Sequence, residues 1–171
     1  SHVIPLLTTV GRCGSGEASV FLSTTTNGID AKGRLSVPAD FRHVVRGEAF
    51  EGIYVWPSFD GDYLEGGGQA LMDRYLAMIE SMDPYDDARI AMERSIFGAA
   101  KPLGLDSTGR ITLPKAFADH AGLNGKATFV GLGSRFEIWN PEAYEEKATA
   151  ARAYARENKR ALKLPPVTVR P

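Results

Sequence analysis

The chain has 171 residues, of which 43% are hydrophobic and 24% are charged, a composition typical of a soluble globular protein. Its formal net charge of −1 argues against indiscriminate binding to polyanions. No apolar run approaches the ~20 residues that a membrane-spanning helix needs. The single cysteine, Cys13, excludes an internal disulfide and a Cys-x-x-Cys metal site, which favours a reducing, cytoplasmic location.

The charges are unevenly distributed along the chain. Pro57–Ala100 holds nine acidic and three basic residues, whereas Lys147–Pro171 holds seven basic residues and one acidic residue. Both segments are consistent with ordinary solvated helix faces.

The first 20 residues are rich in glycine and serine, and we predict a disordered leader or a tag remnant there. Phe21–Thr26 follows, a Thr- and Ser-rich stretch that we expect to form the incoming strand of a hairpin.

A nine-residue segment, Asp30–Pro38, then occurs a second time as Asp106–Pro114, 76 positions later. Asp, Gly, Arg and Pro are identical between the copies, and the pairs Leu35/Ile111, Ser36/Thr112 and Val37/Leu113 differ only within their physical class. Self-similarity at a fixed offset indicates one structural unit built twice. We therefore expect two repeats, residues 21–100 with two helices and residues 101–160 with a long C-terminal helix, before a frayed tail at 161–171.

Each copy has the pattern of a hairpin followed by a short helix. Alternating apolar and polar residues after the glycine predict a half-buried strand. Asp at the start and Gly three residues later are typical of a tight turn. Pro38 and Pro114 are expected to end these strands and begin the helices Ala39–Arg46 and Lys115–Ala121.

The remaining elements are predicted from periodicity and from cap residues. Asp83-Pro84 and Asn140-Pro141 each have the pattern of an N-cap followed by a first-turn proline. The predicted elements are strand Gly52–Pro57, loop Asp60–Gly68, helices Ala70–Ser81 and Tyr85–Phe97, strands Ala127–Leu132 and Arg135–Trp139, and a helix from Pro141 to about Arg160.

The sequence holds no set of residues that predicts catalysis. His2, His43 and His120 are dispersed without partners at metal-ligand spacing. No nucleophile elbow, P-loop or dinucleotide fingerprint occurs. We therefore predict that the protein is not an enzyme and uses no metal or cofactor.

The cations of the first turn suggest nucleic-acid binding instead. Lys32 and Arg34 flank Gly33 at the tip, where the arginine fork suits guanine edges or phosphates. Asp30 is expected to accept from Arg34 and orient it. Alternatively, the Asp–Arg pair only fixes the turn, and both roles are compatible.

The second turn, with Asp106, Gly109 and Arg110, is a further candidate for contact with nucleic acid. It carries Thr108 where the first turn has Lys32, so that we favour the first turn as the reading element.

These motifs resemble those of the MraZ family, bacterial regulators related to the AbrB swapped-hairpin proteins. The resemblance rests on the two repeats and on segments that include Ser81–Pro84, His120–Leu123 and Phe136–Trp139. It implies an α+β fold, a pseudo-duplicated AbrB-like (swapped-hairpin, double-psi-like) β-barrel with helices between and after the repeats. It also implies ring-shaped homo-oligomers, with Arg34 contacting DNA.

The resemblance further implies a partner, double-stranded DNA with tandem short G-containing repeats upstream of the protein's own division and cell-wall operon. A nucleoid-associated, cytoplasmic regulator that does not enter the membrane is then expected. The alternative is a ring-forming scaffold that binds proteins without reading DNA sequence.

Overall fold

The computed structural model describes residues 20–168, so that the predicted leader lies outside the described residues except for Val20. No helix in this part of the chain is both long and apolar enough to cross a membrane. The strands are β1 Thr24–Gly28, β2 Arg34–Ser36, β3 Gly52–Pro57, β4 Leu64–Gly67, β5 Lys101–Gly104, β6 Arg110–Thr112, β7 Lys126–Gly131 and β8 Phe136–Trp139. The helices are α1 Ala39–Val45, α2 Gln69–Glu80, α3 Asp87–Met92, α4 Lys115–His120 and α5 Pro141–Glu157, with a π-helical turn Glu93–Phe97 after α3 and a 3₁₀ turn Lys159–Ala161 after α5.

Six strands form one antiparallel sheet in the order β1-β7-β8-β4-β3-β5. Strands at matching places in the two copies are β1 and β5, β3 and β7, and β4 and β8. Each strand and its counterpart in the other copy lie at equal distances from opposite edges of the sheet. The order of equivalent strands is therefore the same from either edge. The incoming strand of each copy pairs with a strand of the other copy. β1 of the first copy pairs with β7 of the second, and β5 of the second copy pairs with β3 of the first. The antiparallel sheet, with helices that do not connect parallel strands, confirms the predicted α+β class.

The remaining two strands, one from each copy, pair with each other. β2 lies antiparallel to β6, with Leu35 opposite Ile111. The expected hairpin between the incoming strand and β2 is therefore wrong beyond its turn, since these segments share only the bridge Ile29–Leu35. Pairing β2 with β6 stacks two apolar side chains on the core, which are 0% and 1% exposed. Local turn chemistry predicts the turn but not which distant strand completes the pairing.

The core lies between this two-stranded sheet, the large sheet and the two short helices. Phe41 of α1 packs against Phe21, Phe129 and Phe136 with ring centroids 5.1–5.8 Å apart. Phe117 occupies the matching position in α4 and is also buried. The phenylalanine repeated after each proline therefore anchors each short helix, and α1 and α4 confirm their predicted positions within one residue.

Two further sequence-based assignments need correction. The predicted loop Asp60–Gly68 contains β4, whose glycines looked like loop residues. A Cβ on Gly66 would come within 2.7 Å of the Phe136 ring, so that the glycine permits close packing rather than a turn.

The second correction concerns the start of α3, predicted at Asp83-Pro84. Asp83 caps only a turn by accepting from the Tyr85 N–H, whereas Asp86 caps the helix by accepting from the Ala88 N–H at 2.9 Å. Asp83 and Asp86 are both possible N-cap residues, and the helix begins after Asp86. By contrast, Asn140 caps α5 as predicted, and the helix ends at Glu157, slightly earlier than expected.

We predict that Leu35→Ala lowers the free energy of unfolding by about 2–5 kcal/mol, because it leaves a cavity where β2 meets the core. Ser36→Ala, at the exposed neighbouring position, is the matched control and should change stability by no more than about 0.5 kcal/mol. Urea denaturation measures both. Equal losses in the two variants would contradict the packing role assigned to Leu35.

Candidate functional site

The first turn is organised around the Asp30 carboxylate. Its Oδ1 atom accepts from the backbone N–H groups of Lys32 and Arg34, both at 2.9 Å, and its Oδ2 atom accepts from Arg34 Nε at 2.6 Å. Gly33 has a φ of +78°, which few side-chain-bearing residues adopt. The repeated spacing is thus required by a turn in which one carboxylate holds both backbone and guanidinium.

The second turn reproduces this geometry. Asp106 accepts from the N–H groups of Thr108 and Arg110 at 2.9 Å, and from Arg110 Nε at 3.0 Å. Gly109 also has a φ of +78°. The structure therefore brings Asp30, Lys32, Gly33 and Arg34 together in one turn, and Asp106, Gly109 and Arg110 in the other.

Both aspartates have a lowered pKa. For Asp30 the largest cause is the hydrogen bond from the Arg34 backbone N–H, and for Asp106 it is that from the Arg110 backbone N–H. The carboxylates are exposed, so that the ion pairs contribute little to global stability. The ion pairs instead orient the two arginine side chains. Each Asp holds the Nε atom of its arginine, and the terminal guanidinium nitrogens make no hydrogen bond among the described residues.

The arginines of both turns share one face of the β2–β6 ribbon. Arg34 pairs with Thr112 and Ser36 pairs with Arg110, so that these four side chains lie on the side opposite the buried Leu35. Diagonal neighbours of this kind are about 7–8 Å apart. The ribbon thus carries two arginines on one face, each held at Nε by its own aspartate.

The two turns differ at the position of Lys32. Lys32 is exposed, and its ammonium makes no hydrogen bond or ion pair within residues 20–168. Thr108 takes the equivalent place, and its hydroxyl bonds to Asp106 at 2.8 Å. The first turn therefore offers a free cation where the second turn has a tied hydroxyl.

Arg42 of α1 adds a second difference, which the sequence analysis missed. An added Cβ on Gly109 would clash with the Arg42 side chain, and Gly109 is buried. At Gly33 the same atom would meet only the Leu113 carbonyl oxygen within 4 Å. The residue that matches Arg42 in the second copy is Ala118, 76 positions on. Comparing the copies residue by residue would have exposed this arginine.

A separate polar cluster joins β4 to β8. Glu65 and Glu137 face each other across the strands, and Arg135 Nη1 bonds to Glu65 at 2.9 Å. Burial raises the pKa of Glu65, an effect that Arg135 opposes. Trp139 donates to Glu137 and stacks on Tyr63 at 4.3 Å. Because the like charges are bridged by arginine, this cluster is a brace between strands.

The other predicted candidates form no comparable site. His120 bonds to the Gly61 carbonyl at 2.9 Å, which joins α4 to the loop before β4. Across residues 20–168, no group of three or more His, Cys, Asp or Glu residues is arranged to hold a metal ion.

The fold and the paired turns define a class: an α+β protein that presents oriented arginines on an exposed ribbon. Sequence comparisons identify the family within that class. The family described as "MraZ protein, putative antitoxin-like" matches residues 96–164. Proteins named "Transcriptional regulator MraZ" match most of the chain, and so the chain belongs to the MraZ family.

Three of these relatives illustrate the extent of the match. The Rickettsia felis protein is 41% identical over 145 residues, which cover 85% of this chain and 97% of the relative. The Phenylobacterium zucineum protein is 44% identical over 138 residues, 81% of this chain and 86% of the relative. The Caulobacter vibrioides protein is 45% identical over 144 residues, 84% and 92% respectively. Membership of a regulator family confirms the resemblance and the prediction that the protein is not an enzyme.

We predict that both turns weaken as the pH falls below the ordinary titration range of aspartate. Each aspartate has a folded-state pKa below its unfolded value of about 3.9. The stabilisation they contribute is therefore complete well above pH ~3.9 and is lost as the pH falls through the folded value. Carboxyl carbon shifts followed by NMR against pH measure this.

The variant Arg34→Ala tests whether the backbone or the side chain of Arg34 lowers the pKa of Asp30. It removes the guanidinium but keeps the backbone N–H, so that the pKa of Asp30 should remain below its ordinary range. A return to the ordinary value would show that the side chain, rather than the backbone, sets the turn's electrostatics.

Proposed function

We propose that this protein is a sequence-specific, double-stranded-DNA-binding transcriptional regulator that reads bases with the first turn. One observation carries the proposal: Asp30 holds Arg34 by Nε, the Arg34 side chain is 38% exposed at the start of the ribbon, and Lys32 is exposed in the turn beside it. The names of its relatives as transcriptional regulators support the general role.

The chemistry of the turn suits guanine. An arginine fixed at Nε presents two parallel N–H donors, which match the O6 and N7 acceptors of guanine in the major groove. Lys32 adds a point charge for an adjacent phosphate, and such contacts set register without reading sequence. The two cations therefore have distinct tasks, with Arg34 for specificity and Lys32 for affinity.

The β2–β6 ribbon is the element that enters the groove. A major groove ~12 Å wide admits a two-stranded β-ribbon. The face that carries Arg34, Ser36, Arg110 and Thr112 is exposed or half-buried, whereas its other face is packed on the core. We propose that Arg34 contacts the bases and that the second turn, in which Asp106 and Gly109 hold Arg110, forms a secondary contact through Arg110.

Affinity requires more than one such ribbon. A good bidentate base contact contributes about 1–3 kcal/mol, too little for tight specific binding alone. We propose that the chain forms a ring in which successive subunits engage tandem short G-containing repeats. Each further contact is then intramolecular, and avidity rises by roughly 10²–10⁴.

The finer assignments belong to the same proposal. We propose an AbrB-like swapped-hairpin barrel from two repeats, residues 21–100 and 101–160, which the palindromic strand order supports. The target is the promoter of the protein's own division and cell-wall operon, and the protein is nucleoid-associated as a result.

Arg34→Ala should abolish binding to the repeats and leave assembly intact, because the side chain lies on the exposed ribbon face. Arg110→Ala should weaken binding less, and Arg94→Ala, an exposed arginine outside the ribbon, should not change it. Gel shift measures affinity, and light scattering measures mass. Wild-type affinity in Arg34→Ala would refute the assignment of the first turn.

Lys32→Ala should weaken binding equally for matched and scrambled DNA. Removing one phosphate contact per engaged subunit lowers the slope of log K against log salt by about 1 for each subunit. Thr108→Ala is the matched control, since its hydroxyl is already bonded within the turn. An unchanged slope in Lys32→Ala would show that this ammonium does not contact phosphate.

The decisive experiment is a gel shift on the upstream DNA with individual repeats scrambled, at two salt concentrations. Stepwise loss of affinity with each scrambled repeat is the result expected of multivalent base reading. Equal binding to every version would overturn the proposal and favour a ring scaffold that binds proteins.

A further inference from the structure

The C-terminal part of the chain projects away from the body of its own subunit. In α5 only Pro141, Tyr144 and Ala148 are partly covered, and every residue from Thr149 to Thr168 is exposed. We call residues 149–168 the arm. Five bases and one acid lie in it, namely Arg152, Arg156, Lys159, Arg160, Lys163 and Glu157.

Apolar side chains accompany the charge of the arm. Tyr154 is 69% exposed, and Leu162, Leu164 and Val167 are 87–94% exposed. Phosphate backbones offer cations their counter-charge but give such side chains little to bury against. A basic arm with exposed leucines therefore fits a protein surface that is both acidic and partly apolar.

The same chain carries such a surface on α2 and α3. Asp73, Leu76 and Glu80 occupy one exposed face of α2 at three- and four-residue spacing, whereas Arg74 and Met78 lie on the other exposed flank of the helix. Asp83, Asp86 and Asp87 extend the acidic surface into α3. We call Asp73, Leu76, Glu80 and these three aspartates the acidic face.

Neither surface neutralises the other within one subunit. No ion pair among the described residues joins a base of the arm to an acid of the acidic face. We infer that the arm of one copy docks on the acidic face of the next copy. Two different surfaces that meet head to tail generate a ring when the rotation closes.

This inference deepens the proposed ring and rests on it, but the tests can fail separately. The arm variant Arg152→Glu with Arg156→Glu, and the face variant Asp73→Lys with Glu80→Lys, change only exposed side chains. Each should lower the mass found by size-exclusion chromatography with light scattering, because like charges then meet. Circular dichroism checks that each variant is folded.

Mixing provides the sharper test. In an equimolar mixture the acidic arm of the arm variant can dock on the basic face of the face variant. The unchanged arm of the face variant can dock on the unchanged face of the arm variant, so that the wild-type mass should return. The control Lys115→Glu with Lys126→Glu makes the same charge change at exposed positions outside both surfaces and should keep wild-type mass.

Other outcomes overturn the inference. Wild-type mass in both variants would place the interface elsewhere while the ring stands, whereas a monomeric wild type would refute the ring itself. Dissociation that mixing does not reverse would show that the two surfaces do not meet. Wild-type mass in the arm variant with equally weakened binding to matched and scrambled DNA would assign the arm to phosphates.

Discussion

Pairing between β2 and β6 is the constraint on which the rest of the structure depends. The Gly33 carbonyl accepts from the Leu113 N–H at 2.8 Å, and the Gly109 carbonyl accepts from the Val37 N–H at 3.0 Å. Each turn is therefore held by the strand of the other copy. Leu35 and Ile111 bury the inner face, and so the core itself aims the arginines at solvent.

Features that depend on neighbours in sequence could be predicted, and pairings between distant segments could not. The Asp-x-x-Gly-Arg turn, the helices after Pro38 and Pro114, and the Asn140 cap follow from local hydrogen bonding and φ preferences. The partner of β1 does not, because its Thr-rich pattern is compatible with any neighbouring strand. The sequence pattern predicts a loop at Gly66, whereas the structure has a strand there. The reason for the glycine is its contact with the Phe136 ring, which arises only in the tertiary structure.

The nearly neutral charge of the protein is compatible with DNA binding once its distribution is considered. The acids of the first and second turns are engaged with their own arginines, and the acids of α2 and α3 lie in another part of the chain. Charges separated by more than about 8–10 Å are largely screened at physiological salt. The charge at the proposed DNA-contacting turns is therefore better described by Lys32, Arg34 and Arg110 than by the net charge of the chain.

Divergence between the two copies bears on the DNA reading that we propose for the ribbon. A binding unit with true two-fold symmetry reads both directions of a site equally, which suits palindromes. Here one turn keeps Lys32 free and its glycine uncovered, while the other ties Thr108 to Asp106 and covers Gly109 with Arg42. Tandem repeats have a direction, and an asymmetric ribbon distinguishes it. The duplication supplies the pairing that fixes the turns, and the differences between the copies supply the polarity that the proposed direct repeats would require.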